Sequence, residues 1–447
     1  MADKAPAFQA ALLRADSFIA RMKSLVGGKR KLSPLTPRLL SQLRRQLKDC
    51  AVGTGGEVSA RSRAARLGET YLSLDAAGRH EFLRRIALDF GPDPAAVEAA
   101  HRAYQAAVGQ PGQWDAEAAL RAAMRSSRIR ILTQFNALPQ GVKFLVDLRE
   151  DLLGFLEKDD ELAVLDREME SRLTAWFDVG FLELHRITWN SPASLLEKLI
   201  QYEAVHEIRS WSDLRNRLDS DRRLYAFFHP RMPQEPLIFV EVALTRTLSG
   251  NIQELLDESA PVLDAGRADT AIFYSISNTQ PGLRGVTFGN FLLKRVIDDL
   301  KRDYPQLKTF ATLSPLPLFA AWLKQEPQVL AGLGMDLAQL TSGEWARDKA
   351  ASRRLRDPLE GLAARYLYLA RKNGRPYDPV ARFHLGNGAR IERINWLADI
   401  SPKGFSQACG LMVNYVYDPD EIESNVEAFV GEDRIAAAAA IRRLAKA

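Results

Sequence analysis

The chain has 447 residues, 46% hydrophobic and 26% charged, which is too long for one ordinary core and predicts two or three globular domains of the soluble type. No run of ~18 apolar residues is present to cross a bilayer, and the two cysteines, Cys50 and Cys409, are too few for a disulfide framework or a thiolate metal site. A net charge of +5 from 61 basic and 56 acidic residues suits an anionic ligand, but it is mild for this length and accompanies no nucleic-acid-binding module, so no nucleic-acid partner is expected.

From the amino end, residues 1–25 read as an amphipathic helix with acidic residues interspersed. They lack the apolar centre and small-residue cleavage site of a secretory signal, so the expected location is cytoplasmic. Lys29-Arg30-Lys31 reads as a solvated loop. Residues 1–176 predict a helical bundle: Phe144, Leu148, Leu152 and Phe155 form an apolar stripe, and segments near 79–90 and 115–133 behave alike. Breaks are expected at Gly91-Pro92-Asp93-Pro94 and at Gly109-Gln110-Pro111-Gly112. Gly53-Thr54-Gly55-Gly56 follows no apolar strand, so it reads as a loop and not a phosphate site, with Ser59 as a helix N-cap. No catalytic constellation is evident in this half, whose default role is oligomerisation or scaffolding.

Residues 177–447 change texture to mixed α/β. Strands are predicted at 224–229, 237–244, 271–277, 308–313, 380–385, 391–396 and 411–417, from runs rich in Val, Ile, Phe, Thr and Tyr. The tail RIAAAAAIRRLAKA is a good helix former. The six histidines, at 80, 101, 185, 206, 229 and 384, show no ligand spacing, so no metal is expected.

The strand TAIFYSIS leads into a glycine-studded turn, Gly282 to Gly289, and then a helix whose stripe is Phe288, Leu292, Val296 and Leu300. A strand, a Gly-rich turn and a helix N-terminus together form an anion cradle, because the first helical N–H groups lack intrahelical partners. Gly285 and Gly289 permit close approach of a pyrophosphate, and Arg284 reaches the same anion. The spacing matches neither the P-loop nor the dinucleotide fingerprint, and a tight strand-to-helix turn explains it equally well.

Beyond that helix, Ser314 precedes Pro315 at the end of a strand. Proline fixes extended geometry before it, which places Ser314 at the carboxyl edge where open α/β sheets bind ligands; Ser-Pro also serves simply as a stop. Further on, Asn387-Gly388 suggests a hairpin with His384 near the end of its first arm. A histidine among apolar neighbours is either a buried structural residue or a general acid.

Taken together, SPASLLEKLIQYEAVHEIRSW, FYSISNTQPGLRGVTFGNFLLKRV, FATLSPLPLFAAWL, DPVARFHLGNGARIERINWLADIS and CGLMVNYVY resemble the malonyl-CoA decarboxylase family, in the family's order and over most of residues 190–417. The resemblance implies a GNAT acetyltransferase-like α/β catalytic domain (177–447) behind an N-terminal helical domain (1–176) used in assembly, with a homotetramer favoured. It places the coenzyme A loop on Arg284, Gly285, Val286, Thr287, Phe288, Gly289 and Asn290, the catalytic serine on Ser314 and the catalytic histidine on His384. One departure stands out: the family pattern is acidic where this chain has Thr287, so no carboxylate chemistry transfers to that position.

The implied reaction converts malonyl-CoA to acetyl-CoA and carbon dioxide through a thioester enolate. Its demands are positioning, enolate stabilisation and proton delivery, without metal, biotin or any cofactor beyond the coenzyme A of the substrate. Two other readings use the same cradle: an acyl-CoA-dependent N-acyltransferase, and a non-catalytic acyl-CoA-binding scaffold. A covalent hydrolase is disfavoured because no Gly-x-Ser-x-Gly elbow surrounds Ser314.

Overall fold

The computed structural model describes residues 33–52, 56–286 and 292–446. The amino-terminal amphipathic segment, Lys29-Arg30-Lys31 and Gly53-Thr54-Gly55 lie outside the described residues. The chain divides into two compact units: one takes the chain through Asp178 together with His229–Pro233 and Gln280–Thr287, and the other holds the remainder.

The first unit is helical, with described helices α1 (Pro37–Val52), α2 (Glu57–Ser73), α3 (Ala76–Asp89), α4 (Pro94–Ala107), α5 (Gln113–Ala123), α6 (Arg128–Asn136), α7 (Gly141–Phe155) and α8 (Ala163–Trp176). The breaks follow the turn chemistry. Asp93 caps α4 ahead of Pro94 at its first position, and Gly109 and Gly112 both take positive φ between α4 and α5. Ser59 lies inside α2, whose N-cap is Gly56; a glycine fills the half-helical cap position and Glu57 supplies the first-turn acid. The predicted stripe on α7 holds, since Phe144, Leu148 and Leu152 are fully buried and Phe155 packs partly buried against the same core. Tyr71, Phe82, Phe135 and Phe144 join it through edge-on and tilted ring contacts.

The second unit is built on one sheet. Its strands are β1 (Glu183–Ile187), β2 (Arg222–Phe228), β3 (Pro236–Thr245), β4 (Thr270–Asn278), β5 (Thr309–Thr312), β6 (Ser314–Pro315), β9 (Arg390–Asn395) and β10 (Met412–Tyr417), with β7 (Arg371–Lys372) and β8 (Arg375–Pro376) forming a separate ribbon. The order is β1-β2-β3-β4-β5-β10-β6, with β9 also on β10. Every pairing is antiparallel except β4 with β5. A parallel pair needs a crossover, and α9 (Leu292–Asp303) provides it, burying Leu292, Leu293, Val296, Ile297 and Leu300. The mixed α/β reading of this region therefore stands.

The parallel pair opens as it runs. Pairing extends from Thr270 with Thr309 to Phe273 with Thr312, after which β4 continues to Asn278 on β3 without β5. The other chain leaves β4 but stays on β10, where Ser314 faces Val413 and Pro315 faces Met412. Beyond Thr312 the two strands are therefore splayed.

One predicted strand is a helix. Residues 380–385 lie in α10 (Pro379–Gly386), so His384 is on a helix and not a hairpin arm. Asp378 caps it by accepting from the Ala381 N–H, and Pro379 occupies its first position, a helix-start signal that outweighs a downstream Asn-Gly. Ala381, His384 and Leu385, at helical spacing, form its buried face. The Asn-Gly pair ends the helix instead: Gly388 has φ +84°, and a side chain there would meet the Ile422 carbonyl. The alanine-rich tail is helical only over Ala439–Leu444, because Ala436 and Ala438 are drawn into backbone hydrogen bonds with Ile391.

Candidate active site

Ser314 and His384 meet. Ser314 Oγ lies 3.0 Å from His384 Nε2 and donates to Thr312 Oγ1 at 2.8 Å. Both residues are nearly closed off from solvent, at 5% and 3% exposure. Each is placed by its element. The β5-to-β6 step holds Ser314 on β10, and the Asp378 cap fixes the turn of α10 from which His384 projects.

Three residues around the pair went unread in the sequence. Tyr417 Oη is 2.7 Å from His384 Nδ1. Tyr415 stacks on the imidazole with centroids 4.5 Å apart and planes 27° apart. Thr312 Oγ1 accepts the Tyr415 N–H at 3.2 Å while receiving Ser314. The signal available was period-two spacing: Thr312 and Ser314, at the end of β5 and the start of β6, and Tyr415 and Tyr417 on β10 are each two residues apart in extended chain.

The electrostatics follow from burial. Desolvation pushes the His384 imidazole down to about 3, so it is neutral at physiological pH. The Tyr417 phenol is held well above its ordinary range for the same reason and stays protonated. A protonated phenol donating to Nδ1 leaves the histidine proton on Nε2, aimed at Ser314. Behind the pair, Asp378 is 1% exposed and accepts from Tyr366 Oη at 2.7 Å as well as from Ala381.

A cleft of about 220 Å³ opens at the splay onto Ser314 and His384. Its walls are mainly apolar, including Val205, Phe273, Ile276, Pro315, Val380 and Phe383, and no lysine or arginine lines it among the described residues. Val205 sits in a tightly held strap. Glu203 accepts the Val205 and His206 N–H groups and the hydroxyls of Ser275 and Ser277. From the other side Lys403 donates to the carbonyls of Ala204 and Val205, and Arg217 to those of His206 and Glu207. Among the described residues no group of three or more His, Cys, Asp and Glu is placed to hold a metal. Cys50 and Cys409 are free and buried, and burial pushes their thiols up to about 11 and about 12.

Of the anion-cradle residues, Arg284, Gly285 and Val286 belong to the helical unit. Thr287, Phe288, Gly289 and Asn290 lie outside the described residues. Pro281–Leu283 forms a short 3-10 turn, and Gly285 takes φ +87°, a conformation that favours glycine. Arg149 on α7, 1% exposed, donates to the carbonyls of Gly282 at 3.0 Å and Arg284 at 2.7 Å.

The family profile of the malonyl-CoA decarboxylase C-terminal domain matches residues 180–447, and that of the N-terminal domain matches 90–177. The chain belongs to the malonyl-CoA decarboxylase family. It is 38% identical over 417 residues to the mitochondrial malonyl-CoA decarboxylase of Anser anser anser, covering 85% of this chain and 82% of that one. The mitochondrial enzyme of Mus musculus is likewise 38% identical, over 408 residues, 83% of this chain and 82% of the relative. Among solved structures, malonyl-CoA decarboxylase from Rhodopseudomonas palustris superposes with a TM-score of 0.84 at 42% identity, covering 90% of this chain and 99% of that one. The protein of the same name from Agrobacterium vitis gives a TM-score of 0.83 at 42% identity, with the same coverage.

Proposed function

We propose that the chain decarboxylates malonyl-CoA to acetyl-CoA and carbon dioxide, with Ser314 and His384 supplying the proton that completes the reaction. Family membership carries the overall reaction; the 3.0 Å contact of Ser314 Oγ with His384 Nε2 at the floor of an apolar cleft carries the assignment of the pair.

The malonyl carboxylate enters a cleft that no lysine or arginine lines among the described residues, where loss of its water favours the neutral product carbon dioxide. Cleavage of the C–C bond leaves its electron pair on C2, delocalised into the thioester as an enolate. Ser314 turns its O–H from Thr312 to the enolate oxygen and stabilises the developing charge. The Ser314 O–H proton then moves to C2, His384 Nε2–H replaces it on the serine oxygen, and the imidazolate left behind, bonded at Nδ1 by Tyr417, regains its proton from solvent. A neutral imidazole is adequate, because the acceptor is a strongly basic enolate carbon and not a weak leaving group. No step draws on a metal, biotin or a separate cofactor.

Arg284 to Asn290 grips the coenzyme A phosphates in this reading. The division into an assembly domain at 1–176 and a catalytic domain at 177–447, association into a homotetramer and a cytoplasmic location belong to the same proposal. Among the described residues no helix is long and apolar enough to cross a membrane. Light scattering of the purified protein tests the assembly, with four copies per particle expected.

Steady-state kinetics of Ser314→Ala and His384→Ala test the pair. Turnover falls by ~10²–10³ for the serine and ~10²–10⁴ for the histidine, while affinity for coenzyme A holds. Near-normal turnover in both variants would remove Ser314 and His384 from the mechanism.

A further inference from the structure

Arg149 is a buried cation with more partners than a simple ion pair requires. It lies on α7 of the helical unit at 1% exposure, bonded through Nε to Asp166 at 2.8 Å and through Nη2 to Glu170 at 3.1 Å. Its remaining donor, Nη1, reaches two main-chain carbonyls, Gly282 at 3.0 Å and Arg284 at 2.7 Å. Only the planar, five-donor guanidinium fork serves carboxylates and carbonyls in this way at once.

The turn it grips is shaped to be held there. A Cβ at Gly282 would lie 1.9 Å from the Val146 carbonyl of α7, so the main chain at 282 rests directly on the helix. Leu283 and Val286 are buried, whereas Arg284 and Gly285 are exposed. Gly285, at φ +87°, has Glu170 2.9 Å from where its Cβ would be, so Glu170 spans from Arg149 to the turn. A trans peptide sets N–H opposite C=O. Drawing the Arg284 carbonyl inward to Arg149 therefore turns the Gly285 N–H outward, and among the described residues nothing accepts it.

We propose that Arg149 is a positioning residue for coenzyme A. By seizing the Gly282 and Arg284 carbonyls it fixes the Arg284-Gly285 peptide so that an exposed N–H and the Arg284 side chain are preset for a phosphate. This rests on the reading of Arg284 and Gly285 as part of the coenzyme A grip. The substrate class it selects is a thioester that carries the phosphorylated nucleotide, as opposed to the bare pantetheine arm.

The test compares malonyl-CoA with malonyl-pantetheine, which lacks every phosphate, on the full-length protein. Arg149→Lys keeps the charge beside Asp166 and Glu170 but loses the fork, and Arg149→Met loses both; the lysine variant carries the test if the methionine variant does not fold. For Arg149→Lys, kcat/KM for malonyl-CoA falls about tenfold or more, through KM, while kcat/KM for malonyl-pantetheine falls less than about threefold. An equal fall on both thioesters, or no fall on either, would overturn the proposal. Arg284→Ala separates the two layers. If it discriminates between the thioesters and Arg149→Lys does not, the role of Arg149 alone is wrong. If Arg284→Ala treats both alike, the coenzyme A reading of the turn fails and the role of Arg149 fails with it.

Discussion

Taking one oxygen from Tyr417 isolates the contact that holds the His384 imidazole at Nδ1. Its Oη is 2.7 Å from Nδ1 of an imidazole that is 3% exposed, and Tyr417 itself is 1% exposed, so no water replaces the lost partner in Tyr417→Phe. An unpaired buried nitrogen costs about 1–3 kcal/mol. If that energy is needed to hold the Nε2–H tautomer toward Ser314, it appears in the barrier as a fall in kcat of about 5- to 150-fold. The assay is steady-state acetyl-CoA formation, with coenzyme A affinity by calorimetry and the urea midpoint measured beside it. The expected pattern is a reduced kcat, coenzyme A affinity within about twofold and a folded protein. A kcat within about twofold of the parent would refute the argument that Tyr417 sets the tautomer.

Tyr366→Phe leaves one oxygen of the 1%-exposed Asp378 carboxyl without its 2.7 Å donor, so urea denaturation should show a loss of about 1–3 kcal/mol, with a lower kcat because Asp378 caps the helix bearing His384; an unchanged midpoint contradicts this. Burial pushes His384 down to about 3 and His206 to about 4 from an ordinary 6.5, so below 6.5 the unfolded chain binds protons that the folded chain does not, and stability is lost as pH falls. Glu241, pushed by burial up to about 7 from 4.5, acts in the opposite sense over pH 4.5–7. The two histidines act against the raised carboxyls, Glu241 and Asp378, and removing a histidine should shift the pH dependence of stability toward the carboxyl sense. Urea midpoints near pH 5 and pH 6 measure it: relative to the parent, His384→Gln should lose less stability on going from pH 6 to pH 5, and an identical loss in both proteins would contradict this. Gly388→Ala forces a side chain into φ +84° with the Ile422 carbonyl 2.4 Å away, and thermal melts should show a loss above about 1 kcal/mol; full stability would mean that the helix end is placed differently.

The central strands were legible because runs such as TAIFYSIS are β-branched and aromatic, and the strand-turn-helix-strand order of 270–313 already implies a parallel pair with its crossover helix. Ser314 was legible for a local reason, the proline that follows it. The segment around His384 reads as a hairpin because Asn387-Gly388 is a strong turn signal, whereas Asp378 and Pro379 start a helix ahead of it. Tyr417 and Thr312 reach His384 and Ser314 through strand pairing and helix docking, which no local pattern encodes. Arg149 is further removed still. It looks like one more charged residue on an amphipathic helix, and only the fold shows it turned inward onto a glycine turn that comes far later in the chain.

The most direct measurement is mass spectrometry of the purified protein with malonyl-CoA in heavy water, with EDTA present and without ATP or biotin. The mechanism predicts acetyl-CoA carrying deuterium in its methyl group, formed by the parent and nearly abolished in Ser314→Ala and His384→Ala. Intact malonyl-CoA, or labelled acetyl-CoA formed equally well by both variants, would contradict it.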